Sequence, residues 1–281
     1  LFAHGQTIGS RRIDRSVTKW IGGVCETNGI GIHYLRTGGA GYPVLLLHGL
    51  MGSGACWTPL ARALEGEFEV VMPDARGHGD SSAPDHGYGY GAHAADVVGL
   101  IRGLDLPRPA LLGHSMGGMT AAVVASRRAP DIRGLVLVDP TFLSPERQRE
   151  VHESDIAEQH RQALALLKSD LVAQGRARHP RRSPEIVELQ AEARLKTRMA
   201  AFEVLTPPNP AYRDVVRAID VPTLLVIGDR SPVVTLEMAM ELRSLNPRLR
   251  IEQVRDAGHA LPFDQPERLG EVVVPFLREL G

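Results

Sequence analysis

Gly113, His114, Ser115, Met116 and Gly117 form a G-x-S-x-G pentapeptide placed directly after the apolar run 110–112 and before a helix-compatible run at 119–128. A strand that turns abruptly into a helix forces its central residue into a strained backbone conformation, and only small neighbours leave room for it. This context makes Ser115 a candidate nucleophile at a helix N-terminus, where the helix dipole favours developing negative charge. A serine hydroxyl attacks poorly at neutral pH and needs a base, itself oriented by a carboxylate. Among the 11 histidines, His259 is the one whose position suits that task, in the loop Asp256-Ala257-Gly258-His259 between the last strand-like run and the last helical one. His114 adjoins Ser115, but such a turn points it elsewhere, and His78, His86 and His93 read as loop or surface groups. After the run 44–47, His48-Gly49-Leu50-Met51-Gly52 is a turn whose small residues, Gly49 and Gly52, let backbone N–H groups converge. The N–H groups of Leu50 and Met116 are the expected oxyanion donors. Together these parts suit hydrolysis of an ester, lactone or amide.

Such residues need one sheet edge to carry them. Runs at 18–26 and 30–36, separated by Asn28-Gly29, predict an opening antiparallel hairpin. Continuous apolar runs follow at 44–47, 69–72, 110–112, 134–138 and 223–227, each leading into a helical stretch. Strands without alternation are buried on both faces, and strand–helix order implies right-handed crossovers in a mostly parallel sheet. The rhythm breaks at residues 141–218, where Ile156, Leu164, Leu167 and Leu171 have helical spacing and Pro180, Pro184 and Pro207-Pro208-Asn209-Pro210 punctuate the chain. A strand at 250–254 and a helix at 266–280 close it. The expected organisation is a core over 1–140 and 219–281, with a helical insertion over 141–218.

The 281 residues carry 32 Lys+Arg against 33 Asp+Glu, a balance that offers no field to gather nucleic acid or an acidic membrane surface. No apolar run reaches the roughly 18–20 residues of a membrane span, and residues 1–15 lack the apolar centre of a secretion signal. Cys25 and Cys56 fall in no metal-binding spacing and read as free thiols of a reducing compartment, so the cytoplasm is expected. No histidine pair has the spacing of a helical metal site, and no metal is expected.

His48-Gly49, Asp74-Ala75-Arg76-Gly77-His78-Gly79-Asp80-Ser81, Gly113-His114-Ser115-Met116-Gly117-Gly118 and Ala257-Gly258-His259 resemble, in order, the successive signatures of the α/β-hydrolase family. The resemblance covers nearly the whole chain. It implies an α/β-hydrolase fold, with a mostly parallel eight-stranded sheet, helices on both faces and residues 141–218 as an inserted cap over the site. It also implies that no metal or organic cofactor is used. Ser115 stands where dehalogenases and epoxide hydrolases of the family carry Asp. The family's usual acid lies three residues past the Gly that ends the seventh strand, and Gly228-Asp229-Arg230-Ser231 puts Ser231 there. Asp139, at the end of the sixth strand, is where some branches place their acid. It is the favoured partner for His259, with Asp229 the alternative.

Arginines crowd the insertion: Arg147, Arg149, Arg161, Arg176, Arg178, Arg181, Arg182, Arg194 and Arg198. Guanidinium groups match carboxylates in bidentate geometry, which points to an anionic small molecule. Glu146, Glu150, Glu153, Asp155, Glu158 and Asp170 lie in the same stretch, so pairing along solvated helix faces competes with that reading. Within the family the chain resembles a branch that hydrolyses the amide of a small dicarboxylic enamide, which implies C–N cleavage. A carboxylesterase, a lactonase or a carbon–carbon bond hydrolase would share these residues. So would a non-catalytic ligand receptor on the same fold. The expected partners are a small anionic substrate and water, with neither nucleic acid nor membrane, and a homodimer stays open.

Overall fold

Asn28 and Gly29 both take left-handed φ, 50° and 77°, the twist that a two-residue turn needs to bring β1 (Ile21–Thr27) back as β2 (Ile30–Arg36). The computed structural model describes residues 20–128 and 130–281, so positions 18–19 of the expected first strand and the segment read for a secretion signal lie outside the described residues. β3 (Pro43–Leu47), β4 (Glu69–Pro73), β5 (Ala110–His114), β6 (Gly134–Val138), β7 (Thr223–Gly228) and β8 (Leu249–Val254) complete one sheet, in the order β1-β2-β4-β3-β5-β6-β7-β8. β1 and β2 pair antiparallel, as do β2 and β4; every later pairing is parallel.

The central strands are apolar at nearly every interior position because both faces are covered. Leu45, Leu47, Leu111, Leu135, Leu137 and Leu225 point to the face packed by α2 (Tyr90–Gly103), α3 (Met116–Ser126) and α9 (Leu236–Leu245). Val44, Leu46, Leu112, Val136, Val138 and Val226 point to α1 (Thr58–Leu64) and α11 (Pro266–Glu279). Truncating one such leucine to alanine typically costs about 2–5 kcal/mol, so the sheet is a stiff platform for the groups along its carboxyl edge.

Residues 141–218 are helical, as α4 (Pro145–His152), α5 (Ile156–Ala163), α6 (Lys168–Arg178), α7 (Pro184–Leu195), a 3-10 turn at Met199–Leu205 and α8 (Tyr212–Ala218). Leu164 and Leu167 fall in the connection between α5 and α6 rather than on one helix face, and Leu167 is 71% exposed, while Ala163 and Leu171 pack with Ala191 of α7. α8 behaves differently from its neighbours: Tyr212 and Val216 join the core beneath the sheet, against α3 and α9. The helix layer of the sheet therefore resumes at Tyr212, ahead of residue 219 where the strand rhythm places it. Lys196 of the insertion bonds Asp80 at 3.0 Å, and Arg182 bonds Asp264, in α10 (Leu261–Asp264), at 2.7 Å. Among the described residues, no helix is long and apolar enough to cross a membrane.

Candidate active site

The parallel register collects the site. Leu47 pairs with Gly113, His114 with Val138, and Val138 with Val226, so His48, Ser115 and Asp139 all emerge just beyond the same sheet edge. Ser115 N–H bonds Val138 O at 3.2 Å, and Asp139 N–H bonds Val226 O at 2.9 Å, which extends the ladder one step past the strands. Ser115 has φ 54° and ψ −119°, the strained turn expected of the pentapeptide, and α3 begins at once with Met116. A Cβ on Gly117 would lie 2.2 Å from Leu47 O, so the turn is sealed against β3 in a way that no side chain there permits.

His259 Nδ1 lies 2.6 Å from Asp139 Oδ2, and its Nε2 lies 3.0 Å from Ser115 Oγ. A carboxylate oxygen accepts, so Nδ1 carries the proton and the Nε2 lone pair faces the serine hydroxyl. Asp139 is fully buried, with φ 43°, and its Oδ2 also accepts from Ser231 Oγ at 2.6 Å. Asp229 takes no part in this contact. Its Oδ1 accepts the Ala257 N–H at 3.1 Å, and backbone N–H groups of Asp256 and Ala257 hold its carboxyl below the ordinary aspartate range. Of the two acids weighed from sequence, the geometry brings Asp139 to the imidazole and gives Asp229 the loop that carries it.

Leu50 and Met116 line the cavity above Ser115, and among the described residues neither N–H has a hydrogen-bond acceptor. Gly49 lets this loop approach, since a Cβ there would stand 3.0 Å from Ser115 Cβ. Buried side chains shape the turn. His48 Nε2 accepts from Ala75 N–H at 2.9 Å, so its Nδ1 donates to Gly49 O at 2.8 Å. His78 Nε2 accepts from Met51 N–H at 3.3 Å while Nδ1 donates to Arg76 O at 2.9 Å. Asp74 accepts from Gly54 N–H, His33 Nδ1 and Asp80 N–H.

Of the three histidines expected as loop or surface groups, His86 is exposed and His78 lies in a loop, though buried; His93 is the correction, a buried residue of α2. Burial pushes the imidazole of His78 well below its ordinary value and that of His93 down to about 3. The Asp74–Ser81 signature was the clue to this support, because its closely spaced His and Asp bond the neighbouring loops. His114 is also buried and bonds His259 O at 2.7 Å. His33, Asp74 and Asp80 bring ligand atoms within 4.8 Å of one another, but Asp74 and Asp80 already hold the hydrogen bonds described above.

A cavity of about 470 Å³ opens over Ser115 and His259, roofed by the insertion. Arg147, Arg178, Arg182 and Arg194 reach it. Arg149, Arg161 and Arg176 pair with glutamates on exposed helix faces. Arg147 is bonded by Glu150, and Arg182 by Asp264 and Gln190. Among the described residues, Arg178 and Arg194 have no acidic partner. Arg194 is half-buried, its Nε has no hydrogen bond, and burial followed by the Arg178 charge pulls its pKa down. Arg178 is exposed, one terminal nitrogen of Arg194 donates to Gln159 O at 3.2 Å, and the two guanidinium groups line one cavity.

The profile of the family described as alpha/beta hydrolase fold matches residues 42–266. N-formylmaleamate deformylase of Pseudomonas putida is 33% identical over 251 residues, covering 86% of this chain and 91% of that protein. 2-(Acetamidomethylene)succinate hydrolase of Mesorhizobium japonicum is 27% identical over 260 residues, covering 86% of this chain and 90% of that protein. Among solved structures, the N-formylmaleamic acid deformylase of Pseudomonas putida S16 superposes with a TM-score of 0.76 at 26% identity, over 90% of this chain and 99% of that one. The crystal structure of E-2-(acetamidomethylene)succinate hydrolase has the same fold, with a TM-score of 0.78 at 24% identity over 92% of this chain and 100% of that one. A profile match over most of the chain and a relative above 30% identity converge: this chain belongs to the α/β-hydrolase family.

Proposed function

We propose that the chain hydrolyses the amide C–N bond of a small carboxylate-bearing substrate, 2-(acetamidomethylene)succinate or a molecule of the same kind such as N-formylmaleamate. Ser115 is the nucleophile, His259 the base, Asp139 its orienting acid, and the Leu50 and Met116 N–H groups the oxyanion donors. Ser115 Oγ attacks the acyl carbon as its proton passes to His259 Nε2, and Asp139 stabilises the imidazolium. The negative charge collects on the former carbonyl oxygen, held by the two backbone donors, each contributing a factor of roughly 10² to 10³ in rate. The C–N bond breaks as His259 returns the proton to nitrogen. Water then repeats the sequence and frees Ser115.

The observation that carries the substrate class is the juxtaposition of this constellation with Arg178 and Arg194, two guanidiniums without acidic partners among the described residues. In this reading α4–α7 and the 3-10 turn form the cap, and α8 belongs to the core. The free, buried Cys25 and Cys56 support a cytoplasmic enzyme. The test compares kcat/KM for both named amides with that for uncharged p-nitrophenyl esters. The anionic amides should lead by about a hundredfold or more. Preference for neutral esters would return the chain to the carboxylesterases.

A further inference from the structure

His259 arrives on a stretch, residues 255–260, that neither helix nor strand stiffens. Its upstream side is tied down: Ala257 N–H bonds Asp229 Oδ1, Arg230 N–H bonds Ala257 O at 2.9 Å, and Gln265 bonds Asp256 O. At His259 itself, the one main-chain tether among the described residues is His114 Nε2 on its carbonyl oxygen, at 2.7 Å. His114 is the last residue of β5, is paired with Val138 and is followed by Ser115. We propose that His114 is a positioning residue for the base: it anchors the His259 main chain to the nucleophile elbow, so that one rigid turn fixes both Ser115 and the group that deprotonates it.

This rests on the reading of His259 as the base. A carbonyl oxygen can only accept, so His114 holds its proton on Nε2. The ring is boxed in, 5.0 Å from the His259 ring and 5.8 Å from Phe263, which meets it edge-on at 83°. Burial, then the nearby His259, pushes its pKa down to about 3, so no second cation forms beside His259 when it becomes imidazolium. The anchor matters because transfer from Oγ to Nε2 depends on a contact of 3.0 Å, and a displacement of about 1 Å costs on the order of 10² in rate.

The test uses two variants of the whole protein. His114→Phe keeps a flat aromatic ring, somewhat larger, but removes the donor; His114→Gln keeps an N–H donor. For each, kcat, KM, the pH profile of kcat/KM and the rate of Ser115 labelling by a fluorophosphonate are measured. His114→Phe should lower kcat about 10- to 100-fold with KM within about twofold. Its acidic limb should move to lower pH, because a displaced imidazolium loses its carboxylate. His114→Gln should recover most of the loss. A folded His114→Phe with unchanged kcat and limb overturns the proposal, as does a Gln variant as impaired as the Phe one. Should His114→Phe fail to fold, His114→Met takes its place under the same criteria. The two readings separate cleanly. A wild-type protein that takes no label sinks the serine-hydrolase reading, whereas wild type and His114→Phe labelled equally fast sink only the role of His114.

Discussion

Ser231 Oγ and His259 Nδ1 both donate to one oxygen of Asp139, each at 2.6 Å, while the other oxygen is buried with no partner among the described residues. Val233 N–H at 3.1 Å orients the Ser231 hydroxyl from behind. Without the Ser231 hydroxyl, the buried Asp139 carboxylate keeps His259 as its one hydrogen-bond donor among the described residues. Ser231→Ala should therefore reduce kcat about three- to tenfold by loosening the carboxylate that orients the imidazole. An unchanged kcat refutes this account of the shared oxygen.

Asp139→Asn and Asp229→Asn test the assignment of the acid directly. Asn at 139 replaces the carboxylate that fixes the His259 tautomer, and kcat should fall by about 10³ to 10⁴. Asn at 229 keeps an oxygen for the Ala257 N–H, so the loss there should be within about tenfold. Because the Ser231 hydroxyl already touches the oxygen that His259 uses, adding Ser231→Asp to Asp139→Asn should restore at least about tenfold of the lost activity. Steady-state kinetics on the four proteins decide it, and losses of similar size at 139 and 229 would dismiss the preference for Asp139.

The pentapeptide was readable because strand, strained serine and helix are contiguous, so local sterics alone dictate Ser115. His259 was readable by position, five strands by their continuous apolar runs and the opening hairpin by Asn28-Gly29. What the linear order hides is burial and long-range pairing. His114 meets a carbonyl 145 residues away, and nothing near either residue announces it. His78 and His93 read as loop or surface groups until the 48–52 turn bonds the first and α2 carries the second inward. The arginines divide between solvent and cavity only once α4 to α7 are folded over the site, which no charge count contains. Ser231 was conspicuous as the residue in the usual acid position, yet its hydrogen bond to Asp139 appears only when β6 and β7 lie side by side.

Arg194 separates binding from stability. Arg194 is half-buried with no acidic partner among the described residues; one terminal nitrogen donates to Gln159 O at 3.2 Å while Nε has no hydrogen bond, so its burial costs folding energy that a bound anion would offset. Arg194→Met should leave the melting temperature unchanged or raise it, while KM for an anionic amide rises about 10- to 100-fold and kcat/KM for a neutral p-nitrophenyl ester changes less than about threefold. A small dicarboxylate such as maleate should raise the melting temperature of the wild type more than that of the variant. Equal losses on anionic and neutral substrates would place Arg194 in the scaffold and remove it from recognition.

The buried histidines set the acid limit of the fold. His93 and His114 are held neutral down to about 3, mainly by burial, whereas in the unfolded chain each titrates near the ordinary histidine value of about 6.5. Between those limits the unfolded state binds more protons than the native one, so stability rises with pH and is lost as pH falls from about 6.5 towards 3. Their contribution is fully present above about 6.5. Urea unfolding at a series of pH values between 4 and 7 should show a midpoint that falls with acid, with uptake of about two protons on unfolding from this pair. His93→Phe removes one of them and should flatten that slope by about one proton without moving the acidic limb of kcat/KM. A slope identical to that of the wild type would mean that His93 is protonated in the folded protein.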